Sequence, residues 1–211
     1  MTETNQQQDV KDAVRAAVKS GDDVHQQVKD ITLKALTKRQ LDIENIKSVT
    51  EAVIKGTNEG MTDHGKHGKE VFMQAATALD DALATAAEAS ALAVEEAASK
   101  VAEYSEHDFN DAIKDIQDME GMFIDTLEKV AKDSNQVVAD IIGDFIAHTR
   151  QNGTSVGEQT LIALDALKDL PKISKDIIIS STVATTSTLA QIGSGILLGI
   201  AESLKPSHSN K

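Results

Sequence analysis

The stretch EVFMQAATALDDALATAAEASALAVEEAASKVAEY, residues 70–104, decides the fold of this chain. Its small and apolar residues recur at intervals that alternate between four and three, apart from two successive steps of four around Ala97. This is the spacing of a heptad seam along a helix with one hendecad-like step. The seam residues are Phe72, Ala76, Leu79, Leu83, Ala86, Ser90, Ala93, Ala97, Val101 and Tyr104. Because half of these residues are alanine or serine, a partner helix can approach closely. The stretch therefore predicts one long helix that packs lengthwise against another.

A second apolar seam follows directly and supplies the partner. It runs from Phe109 to about Phe145, which predicts one helix of about 60 Å at 1.5 Å per residue. Asn152 and Gly153 then end this helix. The sequence thus predicts an all-α protein, an elongated bundle built on a long antiparallel hairpin over residues 70–151. An ordinary, more compact helical bundle is the alternative.

The regions on either side of the hairpin also show helical patterns. Residues 1–55 predict two or three short amphipathic helices, with a break at Gly21. Residues 56–69, GTNEGMTDHGKHGK, hold four glycines and predict a loop or hinge. Residues 155–204 predict a C-terminal helical region, in which Ser155 and Glu158 have the spacing of a capping box.

Composition supports side-by-side helices and excludes several chemistries. Hydrophobic residues make up 40% of the chain but aromatic residues only 2%, and just two prolines are available to interrupt a helix. A compact enzyme core of this size normally draws on more large aromatic side chains. With no cysteine in the chain, disulfides, thiolate metal sites and thiol catalysis are excluded.

The chain is strongly acidic, with a formal net charge of −13. Between Glu88 and Asp133 lie 13 acidic residues and 4 lysines. Such a surface repels phosphate backbones, so nucleic acid is not an expected partner. The first residues, MTETNQQQDVKD, show neither the basic region nor the apolar region of a secretory signal. We expect a cytoplasmic protein, with association with granules or membranes as a further possibility.

A stretch of 25 residues near the C-terminus, 177–201, carries no charge in this otherwise charged chain. It is long enough for a membrane-spanning helix, which takes about 20 residues, yet nine of its residues are Ser, Thr or Gln. Three interpretations remain open: a buried helix of the bundle, a segment that adsorbs to or inserts into an apolar phase, and a membrane anchor. The residues predicted to bind an apolar surface are Val183, Leu189, Ile192, Ile196, Leu197 and Ile200.

Gly195 and Gly199 lie four residues apart within this uncharged stretch. In apolar helices this GxxxG spacing allows two helix backbones to touch. We therefore expect these two glycines to make a helix–helix contact through which the protein forms a homo-oligomer.

Other residue clusters predict no reactive chemistry. Asp63, His64, His67 and Glu70 lie near the glycine-rich stretch, where nothing fixes a third and fourth ligand, so no metal site is predicted. Paired carboxylates, such as Asp80 with Asp81 and Glu95 with Glu96, lie off the seam and predict a solvated helix face. The chain shows no catalytic or nucleotide-binding motif, so neither an enzyme nor a cofactor is expected.

The alanine-rich helix over residues 75–104, its long acidic partner and the apolar C-terminal tail together resemble phasins, the helical proteins that coat bacterial polyhydroxyalkanoate granules. The resemblance covers residues 70–204 by pattern and carries over no functional residue. The chain also resembles bacterial proteins of unknown function that share a GTSVGEQ-type turn before the last helix, and lipid binding of the apolipoprotein kind would give a similar sequence. The expected function is non-enzymatic association with an apolar granule or lipid surface. A membrane-inserting oligomer and a soluble coiled-coil scaffold are the alternatives.

Overall fold

The structure, a computed structural model, describes residues 3–98, 106–168 and 188–203. Within these ranges every regular element is helical, so the prediction of an all-α protein is confirmed for the described residues. A 3-10 helix, Thr62–His67, joins the third α-helix to the fourth. The α-helices are α1 (Glu3–Ser20), α2 (Val24–Leu36), α3 (Ile43–Met61), α4 (Gly68–Ala98), α5 (Glu106–Lys132), α6 (Gln136–Asn152), α7 (Ser155–Leu167) and α8 (Thr188–Ser203).

Helix α4 is the centre of the fold. It packs most extensively against α7, α8 and α2, and also contacts α5 and α3. Its buried residues include the predicted seam from Phe72 to Ala97, apart from the half-buried Ser90, but also residues on other faces such as Ala78, Ala82 and Ala89. A helix that is apolar on most of its circumference belongs inside a bundle. The alanines therefore let several helices approach α4, rather than one partner along a single seam.

The predicted second arm of the hairpin is not one helix. Helix α5 ends at Lys132 and α6 begins at Gln136. The Asn135 side chain caps α6 by accepting a hydrogen bond from the Val138 N–H at 3.2 Å, while the Ser134 hydroxyl donates to the Val130 carbonyl at 2.7 Å. These local hydrogen bonds satisfy backbone groups at the break. The prediction of an unbroken helix from Phe109 to Phe145 is therefore wrong.

The glycine-rich stretch 56–69 is also not the predicted loop. Helix α3 continues to Met61 and the 3-10 helix follows, with a kink at Gly65, where φ is +53°. Gly56 and Gly60 face α1: a Cβ on Gly56 would lie 2.5 Å from the Lys11 carbonyl oxygen, and one on Gly60 would lie 2.7 Å from Val18 Cγ1. These two glycines bring α1 and α3 together, so they serve packing instead of opening a loop.

The four phenylalanines of the chain are buried in the core. Phe72 and Phe123 both meet Phe145 edge to face, with ring centroids 6.2 and 6.3 Å apart. They belong to a main apolar cluster with residues from all eight described α-helices. A second, smaller cluster joins the far end of α4 to α5, α7 and the start of α8. Helix α8 lies across both clusters.

Candidate functional site

The leucines and isoleucines of α8, apart from Leu198, face the bundle. Leu189 is buried in the second cluster and Leu197 in the main cluster. Ile192, Ile196 and Ile200 are half-buried, with Ile192 packed against the second cluster and the other two against the main cluster. Five of the six residues predicted to bind an apolar surface thus lie together against one surface of the bundle. This surface is formed mainly by α4, and we call it the α8 seat. The sixth, Val183, lies outside the described residues.

A glycine fits α8 to this seat, but not either of the two predicted from the GxxxG spacing. A Cβ on Gly193 would lie 3.2 Å from Leu41 Cδ2 and 3.8 Å from Ala93 Cβ. A Cβ on Gly195 or Gly199 would meet no atom within 4 Å. Gly195 and Gly199 therefore bring α8 against no other described helix of this chain, and they face outward beside the exposed Leu198. Their contact with a second copy stays a prediction.

Two hydrogen bonds tie α8 to the connection between α2 and α3. The Leu41 N–H donates to the Ala190 carbonyl at 3.1 Å, and the Ser194 hydroxyl donates to the Arg39 carbonyl at 2.5 Å. The only charged residue of α8 is Glu202, and it forms no ion pair with a described residue. The helix is consequently held by apolar packing and a few hydrogen bonds.

An acidic cleft of about 300 Å³ opens beside the start of α8. Five carboxylates and a single cation, Lys114, are among its lining residues, and the carboxylates are Asp42, Glu44, Asp108, Asp111 and Asp115. Burial raises the pKa of Asp115, and the neighbouring charges of Asp42, Asp111 and Asp118 raise it further, although a hydrogen bond from the Ile43 N–H at 3.2 Å opposes the shift. Negative charge therefore flanks the uncharged start of α8.

Helix α7 is anchored by a buried carboxylate that sequence reasoning misplaced. Asp80 was predicted to lie on a solvated face, but its residue is only 5% exposed. Its carboxylate accepts hydrogen bonds from the Ser155 N–H at 2.7 Å and the Val156 N–H at 2.9 Å, at the first turn of α7. Burial raises the pKa of Asp80, and these two bonds limit the rise.

Two further acidic residues complete this anchor. Asp81 accepts a hydrogen bond from the Ser155 hydroxyl at 2.8 Å and lies 3.1 Å from His25 Nε2 of α2. Glu120 accepts from the Thr154 hydroxyl at 2.5 Å, and its carboxylate covers Gly157. Thr154, and not Ser155, caps α7, since its hydroxyl accepts from the Gly157 N–H at 2.9 Å. The only sequence signal for this anchor was the capping-box spacing, which misplaced the cap by one residue.

The histidines and carboxylates considered as metal ligands do not form a metal site in the part of the chain that the structure describes. Among the described residues, no group of three or more His, Cys, Asp or Glu side chains could hold a metal ion. His64 Nε2 lies 2.7 Å from the Val18 carbonyl oxygen, so this histidine joins the 3-10 helix to α1. No helix in the described ranges is both long and apolar enough to cross a membrane.

The comparison with known families matches residues 1–206 to the model of DUF6781, a family of unknown function. The chain belongs to this family. No curated protein and no solved structure matches the chain. Because the match covers every described helix, the α8 seat and the α7 anchor both lie within the extent of the DUF6781 family.

Proposed function

We propose that this DUF6781 protein is a non-enzymatic helical protein whose C-terminal segment exchanges between its seat on α4 and an apolar surface. The observation that carries the proposal is the packing of α8. The side chains that the sequence assigns to an apolar surface, such as Leu189 and Leu197, are the ones that hold α8 on the bundle. The docked helix is then the closed state of a surface-binding segment.

Opposing free-energy terms decide whether α8 exchanges. Burying a leucine or isoleucine side chain fully contributes about 1.5–3 kcal/mol. When α8 leaves the bundle, transfer of these side chains into an apolar phase restores most of that free energy. Release costs the pair of hydrogen bonds to residues 37–42, at about 1 kcal/mol each, and it exposes the apolar surface of the bundle that α8 covers. On a surface, Leu198, which is 46% exposed in the docked state, would also leave water. Release is therefore expected only where the surface offsets the exposure of the bundle under α8.

The surface is proposed to be a granule polymer or a lipid, as the resemblance to phasins implies. The acidic residues of the bundle would remain in water, and their charge would keep coated particles apart. Self-association would use the outward stripe of Gly195, Leu198 and Gly199.

The elongated shape predicted from the sequence belongs to the same proposal. A radius of gyration clearly above about 17 Å, the value for a compact chain of this length, would support it.

Localisation tests this function in cells. A fluorescent fusion of the full chain should coat granules or lipid inclusions, whereas a fusion without residues 172–211 should be diffuse. Equal distributions of the two fusions would contradict the proposal. A washing step with alkaline carbonate separates the membrane-inserting alternative, since an adsorbed protein is released and a spanning one is retained.

A soluble scaffold is the second candidate, favoured by the burial of Leu189 and Leu197. In a scaffold α8 would stay on its seat permanently as part of the core. The full chain would then show one cooperative melting transition and would not sediment with apolar particles. Binding to such particles by the purified full-length protein would exclude a purely soluble scaffold.

A further inference from the structure

A groove between α1 and α2 combines an apolar floor with a cationic end. Its volume is about 260 Å³. Val10 and Ile31 on its floor are half-buried and pack on the main core, and Ala35 between the helices is buried. Because this floor is open to water although its residues are apolar, a ligand with an apolar part would gain free energy by covering it.

Three cations line the end of the groove where α2 stops. They are Lys34, Lys38 and Arg39, while Asp9 is the only acidic residue among the lining residues. Lys34 and Lys38 form no ion pair with any described residue, and Arg39 donates to the Ser48 hydroxyl at 3.1 Å. In a chain with a net charge of −13, this is a local concentration of uncompensated positive charge. It is complementary to an anionic group.

From these two features we propose that the α1–α2 groove binds a single-chain amphiphile with an anionic headgroup, of the long-chain carboxylate class. The alkyl chain would lie on Val10, Ile31 and Ala35, and the carboxylate would meet Lys34 and Lys38. The volume is below the roughly 300 Å³ at which pockets for drug-sized ligands begin, so one alkyl chain fits better than a ring system. This site adjoins α8 through Arg39, whose carbonyl accepts from the Ser194 hydroxyl, and it does not depend on the proposed surface function.

Calorimetric titration of the full-length protein with monomeric dodecanoate tests the site. We expect saturable binding of one dodecanoate per chain, and much weaker binding of butanoate because it lacks the long alkyl chain. Dodecyltrimethylammonium should bind at least about tenfold more weakly than dodecanoate. The protein's overall charge would favour the cation, so a preference for the anion would be a local property of the groove.

Two pairs of matched variants locate the binding. K34Q/K38Q removes the free cations and should weaken dodecanoate binding about tenfold, whereas K47Q/K132Q makes the same change of net charge elsewhere and should leave it unchanged. A13F fills the groove from an exposed position and should abolish binding, whereas A16F adds the same ring to an exposed position outside the groove. None of the four variants alters a residue of the α8 seat.

The absence of saturable binding, or equal affinities in the groove and control variants, would overturn the proposal. Binding that is lost in A13F but insensitive to K34Q/K38Q would overturn the assignment of an anionic headgroup. Since the probe is a soluble monomer, these outcomes are independent of whether the protein adsorbs to granules or lipid.

Discussion

At the scale of single residues, the role of a helical glycine depends on whether another helix packs against it. Gly56 and Gly60 would place a Cβ within 3 Å of α1, whereas Gly121 and Gly143 lie inside α5 and α6 with no atom within 4 Å of such a Cβ. All four are helical, and the sequence around them does not distinguish the two pairs. The difference arises entirely from a second helix that is distant along the chain.

Alanine substitutions should therefore have opposite effects at the two pairs. G56A and G60A should each lower the free energy of unfolding by about 1 kcal/mol, because overpacking costs about 1–3 kcal/mol and better helix propensity returns only part of it. G121A and G143A should raise it by up to about 1 kcal/mol. Urea denaturation followed by circular dichroism measures both. Stabilisation in G56A or G60A would contradict the close packing of α1 and α3.

Asp80 should contribute more to the free energy of unfolding at low pH than at neutral pH, which is the opposite of the usual carboxylate behaviour. Its pKa is raised in the folded state, so the folded protein binds the proton more tightly than the unfolded chain. This group therefore adds stability as the pH falls through its folded pKa, and the gain is complete below the ordinary value of about 3.9. The free energy of unfolding of the wild type minus that of D80N should therefore rise as the pH is lowered.

The control for this prediction is D125N, which removes an exposed carboxylate on α5. It has the same change of net charge as D80N and so measures the effect of that charge alone. If the difference between wild type and D80N instead falls as the pH falls, the hydrogen bonds from α7 outweigh the burial of Asp80, and folding lowers the pKa of this carboxyl instead of raising it.

At the scale of helices, local sequence predicted the elements better than their junctions. The apolar spacing located α4, and Gly153, with φ of +84°, follows the last residue of α6 where a terminating glycine was expected. The break between α5 and α6 was missed because the apolar spacing continues through it. One capping residue, Asn135, starts the new helix there. Asp80 was misplaced because its partners, Ser155 and Val156, lie 75 and 76 residues away.

The outward face of α8 carries a prediction about self-association. Replacing Gly195 and Gly199 with leucine should leave the fold intact, because open space surrounds both positions. If these glycines allow close contact with a second copy, G195L/G199L should reduce the oligomer observed by sedimentation velocity. Adsorption to apolar particles should survive, since leucine adds apolar area.

G193L provides the contrast for that experiment, since Gly193 lies against Leu41 and Ala93 within the chain. This variant should lower the melting temperature by lifting α8 from its seat, whereas G195L/G199L should not. An unchanged oligomer in G195L/G199L would contradict self-association through this face.

At the scale of the whole molecule, the proposed function depends on whether α8 leaves α4. Sequence patterns identified the apolar residues of α8 but left open whether they face the protein or a surface, because both environments select the same side chains. The structure shows them docked, and the proposal adds a second position for them. Only a measurement that holds α8 in place separates these two states.

The absence of native cysteine makes this measurement possible. A Cβ on Gly193 would lie 3.8 Å from Ala93 Cβ, which is about the mean separation in disulfides, so A93C/G193C should form a bond that locks α8 to α4. Binding to phosphatidylcholine vesicles and polyhydroxyalkanoate particles is then compared by co-sedimentation. We expect the reduced variant to bind as wild type does and the oxidised variant to lose binding. Equal binding by the oxidised and reduced forms would contradict the release of α8.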